Sequence, residues 1–179
     1  MLAGEDFKDL RILHYPDPRL RKKCEPVAEF NGDLAALAER MIALMESGSG
    51  VGLAAAQVGV NQRVIVVNAT GDPQDTEVFV NPLIHEPHGS EEAEEGCLSL
   101  PGVRVQIRRA QKCRLTAQDL KGRPIERELD ELLARVVQHE TDHLNGVLII
   151  DRMGPTDRIA TRKTLRALEE QYHPKAVAR

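Results

Sequence analysis

The chain has no tryptophan, and aromatic residues fill only 3% of its 179 positions, so aliphatic side chains must form any core. It also has no apolar run that approaches the roughly 18 residues a membrane-spanning helix requires. Its first residues lack the apolar stretch of a signal peptide, and their acidic side chains argue against an organelle transit peptide. These absences predict a cytoplasmic protein of bacterial type with no membrane association.

Cysteine is also scarce, and the chain has no excess of positive charge. The three cysteines form an odd set, which argues against a disulfide framework and for a reducing compartment. The formal net charge is −4, so we do not expect the chain as a whole to bind DNA or another polyanion. Hydrophobic residues at 41% and charged residues at 29% are typical of a globular protein, and no repeat or linker divides the chain. We therefore predict one domain spanning residues 1–179.

Helical periodicity appears in three segments. Asp33 is the predicted N-cap of the first helix, which ends at Gly48. The second helix runs from about Glu128 to Leu144, and its apolar residues form one stripe: Leu129, Leu132, Leu133, Val136 and Val137. A weaker third helix is predicted from about Asp157 to Tyr172.

Short segments rich in β-branched residues lie between these helices. The predicted strands are Arg63–Asn68, Glu77–Val80, Val103–Ile107, Lys112–Ala117, one near Pro124 and Ile125, and a buried one at Val147–Ile150. Together the pattern predicts an α+β fold, with antiparallel or mixed β-sheets around one central helix and further helices near each end of the chain.

The central helix carries the sequence His139-Glu140-Thr141-Asp142-His143. Histidines four residues apart project from the same helical face, so both imidazoles can reach one ion. Both continue the apolar stripe, where buried imidazoles without a shared partner would be costly. A solvated helix could carry the same residues by chance, but it would not place them on the stripe that faces the core. Glu140 is offset around the helix, where it can contact a water on the ion without being a ligand.

Two imidazoles do not hold a catalytic ion, because such sites usually have three protein ligands and one open position. An extended zinc-protease motif would need histidine where the chain has Ile149. Glu169 or Glu170 would complete a thermolysin-like ligand set. The other candidate is Cys97, in the segment Glu95-Gly96-Cys97-Leu98-Ser99, although a lone cysteine is most often a small buried hydrophobe.

A third segment, Gly50-Val51-Gly52-Leu53-Ala54-Ala55-Ala56-Gln57, is rich in glycine and alanine. Its spacing resembles a dinucleotide fingerprint, but it follows a predicted helix instead of a strand. One interpretation is a backbone without bulky side chains that a substrate can approach closely; the alternative is a tightly packed turn after a helix. The amide of Gln57 is a neutral donor suited to a developing oxyanion.

These three segments, in this order, resemble the motifs of the peptide deformylase family. That family has a Gly-x-Gly-x-Ala-Ala-x-Gln loop, a Glu-Gly-Cys-x-Ser loop and a Gln-His-Glu-x-x-His helix. Here the motifs stand at residues 50–57, 95–99 and 138–143, with no mismatch at a fixed position. The resemblance implies the family's fold and a metal-dependent hydrolase that removes the formyl group from the N-terminal formyl-methionine of new polypeptides.

The resemblance also implies a role for each matched residue. Cys97, His139 and His143 would be the metal ligands, with Fe²⁺ as the native ion and Zn²⁺ or Ni²⁺ as substitutes. The ligand types alone would have suggested Zn²⁺.

The same resemblance assigns the catalytic groups. Glu140 would be the acid–base residue, which takes a proton from the attacking water and returns one to the leaving amine. Gln57 and the backbone N–H of Leu98 would form the oxyanion hole.

The expected partners follow from the same family. Formyl-methionine N-termini of nascent peptides would bind in a pocket bordered by Arg135 and lined by Gly50, Val51, Gly52, Glu95, Gly96 and Val136. From Arg152 to Arg179 the chain has more Lys and Arg than Asp and Glu. A solvated helix face explains that excess, whereas family analogy suggests a contact with the ribosome.

Overall fold

The computed structural model describes residues 7–172. The helices in this range are α1 (Gly32–Ser47), α2 (Glu131–Leu144), α3 (Ile149–Arg152) and α4 (Pro155–Gln171). The strands are β1 (Gly52–Ala54), β2 (Val64–Val67), β3 (Glu77–His88), β4 (Glu91–Gly96), β5 (Arg104–Arg109), β6 (Lys112–Gln118) and β7 (Pro124–Asp130). Short 3-10 turns occupy Phe7–Asp9, Pro18–Arg21, Ala55–Val58 and Pro73–Asp75.

Five strands form one antiparallel sheet in the order β1-β2-β3-β6-β7, and β4 and β5 form a separate antiparallel pair. Successive side chains of β2 point to opposite faces of the larger sheet. Ile65 and Val67 pack in the same core cluster as Val136 and Val137 of α2. Val64 and Val66 pack in the cluster that contains the buried residues of α1. The predicted α+β class is confirmed, with helices on both faces of the sheet.

Two predicted helix starts differ from the structure. Asn31, not Asp33, caps α1, because its side-chain oxygen accepts hydrogen bonds from the backbone N–H groups of Asp33 and Leu34. The central helix begins at Glu131 instead of Glu128, because residues 128–130 complete β7. Leu129 therefore reaches the core from a strand, which apolar periodicity alone could not distinguish from a helix position.

The predicted strand at Val147–Ile150 is wrong. Within the described residues this segment pairs with no strand, and Ile149 begins the short helix α3. The carboxylate of Asp151 accepts a hydrogen bond from the N–H of Leu148 at 2.8 Å, which stabilises the helical turn. Four consecutive apolar residues indicate burial, and they do not choose between a strand and a helix.

Two strands near the functional motifs are missing from the predicted set, and a third is longer than predicted. Neither β1, within the glycine-rich segment, nor the acidic β4 was predicted as a strand. Strand β3 continues past Val80, where the predicted strand ended. Asn81 adopts a left-handed conformation with φ 53°, at an irregularity in the β3–β6 pairing. Its side chain hydrogen-bonds to Val27 and Gln118, which holds the strand through this irregularity.

No helix within residues 7–172 has the length and apolar character needed to cross a membrane. This observation agrees with the short apolar runs of the sequence.

Gly146, immediately after α2, has a requirement for glycine that can be tested. Its φ is +73°, and an added Cβ would lie 2.4 Å from the carbonyl oxygen of Arg21. We expect Gly146→Ala to lower the free energy of unfolding by about 2 kcal/mol or more, through backbone strain and displacement of the 21–24 segment. Urea denaturation measures this change.

The matched control is Gly32→Ala, because a Cβ at Gly32 meets nothing within 4 Å. That variant should stay within about 0.5 kcal/mol of the parent. Equal stability of the two variants would contradict the proposed strain.

Candidate metal centre and active site

The three sequence motifs meet around one cavity of about 480 Å³. The segment after α1 and the start of β1 form one wall, and the end of β4 with the following loop forms another. Helix α2 contributes Val136, His139 and Glu140. The cavity therefore collects residues that lie far apart in the sequence.

Cys97, His139 and His143 converge in this region. One ligand atom from each lies within 4.8 Å of the other two, and Sγ of Cys97 is 3.2 Å from Nε2 of His143. The histidines are one helical turn apart on α2, whereas Cys97 follows directly after β4. The pairing of β4 with β5 places the sulfur beside the helix.

The chemistry of this group fits a transition-metal ion. One thiolate and two imidazoles form the donor set of known three-ligand metal sites with an open position. Burial lowers the pKa of His143 well below its usual value, and nearby positive charge lowers it further, so the ring stays neutral as a ligand must be. For His139, burial lowers the pKa, but hydrogen bonds with Cys97 and Glu95 outweigh it and raise the pKa to about 10. The surroundings of His139 thus favour positive charge, which a metal ion on Nε2 would supply in place of the proton.

Glu95 orients the first of these imidazoles. Its Oε2 lies 2.9 Å from Nδ1 of His139. A ring that donates from Nδ1 leaves Nε2 as its ligand atom, which is the usual support for a metal-binding histidine. Burial raises the pKa of Glu95, but hydrogen bonds from His139 and Arg109 outweigh it and lower the pKa to about 2. The carboxylate is therefore held in its charged form.

Arg109 links Glu95, which supports His139, to Asp142 of α2. Its guanidinium donates to both oxygens of Glu95, at 2.6 and 2.9 Å, and to Oδ2 of Asp142 at 2.8 Å. Asp142 precedes His143 and also accepts two hydrogen bonds of 2.5 Å from Arg152. This buried ion-pair network fixes the position of α2 relative to β4 and β5.

The motif analysis missed Arg109. The available signal was its place in β5, where Val105, Ile107 and Arg109 alternate with exposed residues and are all buried. A charged residue at a buried strand position needs a partner of opposite charge, so this pattern indicated a buried carboxylate nearby.

Glu140 lies on the cavity side of α2, close to β1. An added Cβ on Gly52 would be 2.5 Å from its Oε1 and 2.8 Å from Val136, so only glycine fits there. Its other oxygen, Oε2, is buried and has no hydrogen-bond partner within residues 7–172. Burial is the largest influence on this carboxyl group and raises its pKa to about 7. The group can therefore exist in both protonation states near neutral pH.

Gln57 is buried and held in one orientation. Its Oε1 accepts a hydrogen bond of 2.8 Å from the N–H of Ala54, so its NH₂ group points the other way. That NH₂ group donates to Oγ of Ser99 at 3.1 Å and lies 3.6 Å from Sγ of Cys97. Ser99 received no role in the motif analysis, although it occupies a fixed position of the cysteine motif. The structure shows that it orients the Gln57 donor.

Leu98 occupies the space left by two glycines. Cβ atoms added to Gly48 and Gly50 would lie 2.9 and 2.8 Å from carbons of the Leu98 side chain. This packing fixes the loop that follows Cys97. Within residues 7–172 the backbone N–H of Leu98 has no hydrogen-bond acceptor, so it is available to a ligand.

The structure contradicts the thermolysin-like ligand set, in which Glu169 or Glu170 would join the two histidines. Glu169 accepts a hydrogen bond of 2.6 Å from the hydroxyl of Tyr15, and Glu170 pairs with Arg166 on α4. Neither belongs to the group of ligand atoms around His139 and His143. The structure therefore brings Cys97, and no glutamate of α4, next to the two histidines.

The residues predicted for the substrate pocket all line the cavity: Gly50, Val51, Gly52, Glu95, Gly96 and Val136. The carboxylate of Glu95, however, already forms hydrogen bonds with His139, Arg109 and Arg135. Arg135, predicted at the border, also lines the cavity and donates to Oε1 of Glu95 at 2.7 Å. Leu132, placed on the buried stripe by periodicity, is 46% exposed and lies at the cavity.

Fold and site together are those of a metal-dependent hydrolase, since three side chains that could hold a metal ion lie beside a buried carboxylate and two hydrogen-bond donors. The family model of polypeptide deformylase matches residues 9–159, and the chain belongs to this family. It is therefore an enzyme that removes the N-terminal formyl group from nascent polypeptides.

Relatives and solved structures agree with this assignment. The peptide deformylase of Alkalilimnicola ehrlichii is 44% identical over 90% of this chain and 92% of its own length. That of Thermodesulfovibrio yellowstonii is 45% identical over 86% of this chain and 94% of its own. The structure of a plant peptide deformylase, PDF1B, is 38% identical with a TM-score of 0.90, and the similarity covers 94% of this chain and 93% of the plant chain.

The role of Glu95 can be tested by removing its charge while keeping its shape. We expect Glu95→Gln to weaken metal affinity by about 10- to 100-fold, because His139 loses its charged acceptor. Competition between the enzyme and a chelator for Zn²⁺ measures the affinity.

Glu94→Gln is the matched control, because Glu94 is the neighbouring residue of β4 and its side chain is 55% exposed in a pair with Arg104. It should retain the parent affinity. An unchanged affinity in Glu95→Gln, or equal losses in both variants, would contradict the role.

Proposed function

We propose that deformylation takes place in the cavity beside Cys97, His139 and His143, and that these three residues hold the catalytic ion. The convergence of the three ligand atoms within 4.8 Å, next to Glu140, is the observation that carries the proposal. We further propose Fe²⁺ as the native ion on the basis of the family resemblance, with Zn²⁺ or Ni²⁺ able to substitute. When bound, such an ion makes water a nucleophile near neutral pH and polarises the formyl oxygen.

Glu140 is the proposed acid–base residue. It lies in the cavity with one buried oxygen that has no partner among residues 7–172. In this role its carboxylate takes a proton from the water that attacks the formyl carbon. It then returns a proton to the amine as the carbon–nitrogen bond breaks, which releases formate and the peptide's free N-terminus.

Gln57 and Leu98 are the proposed donors to the formyl oxygen. Charge develops on that oxygen during attack, and donors fixed in advance stabilise it without reorganisation. The orientation of the Gln57 NH₂ group by Ala54 and Ser99 supports the first role. The uncommitted N–H of Leu98 supports the second.

The shape of the cavity supports recognition of a formylated, apolar N-terminus. Strand β1 is at the edge of the five-stranded sheet, so a peptide can pair with it through backbone hydrogen bonds. The glycines of this wall leave room for a formyl group, the smallest acyl group. Val51, Leu132 and Val136 supply apolar surface for the methionine side chain. Discrimination by such a surface is modest, because each methylene contributes only about 1–3 kcal/mol.

We propose that the chain functions in the cytoplasm as one domain. The buried network of Glu95, Arg109 and Asp142, which joins β4, β5 and α2, supports the single domain. The ribosome is a proposed partner through the basic C-terminal segment. Arg158, Arg162, Lys163 and Arg166 are exposed on α4, and Arg166 pairs with Glu170. Lys175 and Arg179 lie outside the described residues.

Two variants separate metal binding from proton transfer. Glu140→Gln should retain the metal and be nearly inactive, because it keeps the shape of the carboxyl group without its basicity. Cys97→Ala should lose both metal and activity, because a ligand is removed. Metal analysis and an assay with a formyl-methionyl peptide check both outcomes. Loss of metal in Glu140→Gln, or an active Cys97→Ala, would contradict the scheme.

Removal of the Gln57 donor should affect turnover more than metal content. We expect Gln57→Ala to lower kcat by about 10²- to 10³-fold while the protein keeps its metal. Gln106→Ala, at an exposed position of β5, is the control and should keep the parent kcat. Unaltered turnover in Gln57→Ala would exclude the oxyanion role.

The choice of ion should determine sensitivity to air. A thiolate ligand on Fe²⁺ is exposed to oxidation by oxygen or peroxide. We therefore expect the Fe²⁺-loaded enzyme to lose activity in air, and the Zn²⁺-loaded enzyme to keep a lower but stable activity. Activity followed over time with and without oxygen measures this. Equal decay of the two forms in air would contradict the prediction.

A further inference from the structure

A second and larger cavity, of about 1030 Å³, opens beside a different face of α2. Its lining includes Lys23, Arg63, Arg108, Thr141, Asn145 and Arg152, and we call it the basic groove. Thr141 of α2 and Asn145, which caps the C-terminus of that helix, both line the groove and are one helical turn apart. They face away from the side of the helix that carries Val136 and Glu140, which line the metal cavity. The groove is therefore separate from the active site.

Arg63 is a buried cation without an anionic partner. It is only 8% exposed, and no ion pair within residues 7–172 involves it. Its guanidinium donates to the carbonyl oxygens of Leu144 and Pro82, at 3.4 and 3.2 Å, and to Oδ1 of Asn145 at 3.0 Å. A guanidinium has five N–H donors, so these contacts leave donors unused.

The surroundings offset only part of this charge. Arg63 caps the C-terminus of α2, where the helix dipole supplies about half a negative charge. Cys24 lies nearby, but burial raises the pKa of its thiol to about 11, so it is neutral at neutral pH. Burial also lowers the pKa of Arg63, as expected for a cation that lacks a full counter-charge.

Thr141 adds an unpartnered hydroxyl to the same groove. It is 9% exposed, and its buried Oγ1 has no hydrogen-bond partner within residues 7–172. A buried hydroxyl left without a partner is destabilising, because it has lost its hydrogen bonds to water. Both Thr141 and Arg63 therefore have donor capacity that no described residue uses.

The remaining charges of the groove do not balance Arg63. Of its carboxylates, Asp142 already accepts from Arg109 and Arg152. Glu25 also lines the groove, but so does Lys23, and both are exposed. Among the described residues Arg108 pairs only with Glu92, at 3.6 Å, and its own side chain is 71% exposed. The groove thus presents a net positive surface.

We propose that the basic groove is a binding site for a small oxyanion of the phosphate type, with Arg63 and Thr141 at its floor and Lys23 at its rim. A phosphate group supplies the full negative charge that Arg63 lacks and an acceptor for the Thr141 hydroxyl. A carboxylate has the same kind of acceptor atoms but less charge, so it should bind more weakly.

The test is a titration of the ¹⁵N-labelled, Zn²⁺-loaded full chain with inorganic phosphate at constant ionic strength, followed by NMR. We expect saturable shifts of the amides of Lys23, Arg63, Thr141 and Asn145, while those of Gly50 and Leu98 at the metal cavity stay in place. Acetate in a parallel titration should bind at least tenfold more weakly. Shifts confined to the metal cavity, shifts that do not saturate, or acetate binding as tight as phosphate would overturn the proposal.

Variants locate the site within the groove. Thr141→Val and Lys23→Ala should each weaken phosphate binding by about tenfold, since each removes one donor to a charged ligand. Arg166→Ala removes the same charge as Lys23→Ala from an exposed position on α4, and it should leave the affinity unchanged. Lys23 is exposed, so its variant tests the site even if Thr141→Val is unstable. Equal effects of Lys23→Ala and Arg166→Ala would reduce the binding to general charge attraction and overturn the proposal.

Discussion

The carboxylate of Glu95 is the group on which the active site most depends. It orients His139 through Nδ1 and is itself held by two hydrogen bonds from Arg109 and one from Arg135. A single buried carboxylate therefore joins β4, β5 and α2, and Cys97 follows it by only two residues. Because buried charges must remain paired, small displacements of these three elements are costly. This constraint keeps the sulfur and the two imidazoles within reach of one ion.

Close packing on the other wall of the cavity has a different origin. There the glycines at positions 48, 50 and 52 let neighbouring groups approach the backbone, and Leu98 and Glu140 fill the space that side chains would take. The result is a narrow site in which the proposed acid–base residue lies beside the open edge of β1. Substrate backbone, Glu140 and the donors Gln57 and Leu98 can then lie within one cavity.

Helix α2 carries different chemistry on its different faces. One face presents His139 and Glu140 to the metal cavity, and another presents Thr141 to the basic groove. Asp142, between His143 and Thr141, binds Arg109 and Arg152 and so connects the helix to β5 and α3. Stability of the helix and geometry of the site are consequently coupled, since the same ion pairs serve both.

Sequence alone determined the α+β class, the three motifs and the residues that converge on the cavity. These depend on local spacing: histidines four positions apart, glycines in a turn and a cysteine shortly before a predicted strand are visible without tertiary structure. The periodicity of apolar residues predicted the wrong element where contacts between distant segments decide between strand and helix. Val147–Ile150 forms no strand and leads into α3, and residues 128–130 belong to β7 and not to the central helix. Folding alone decided that Glu95 supports His139, that Arg109 joins Glu95 to Asp142, and that Ser99 orients Gln57. Each of these depends on contacts between segments far apart in the chain, for which local spacing carries no signal.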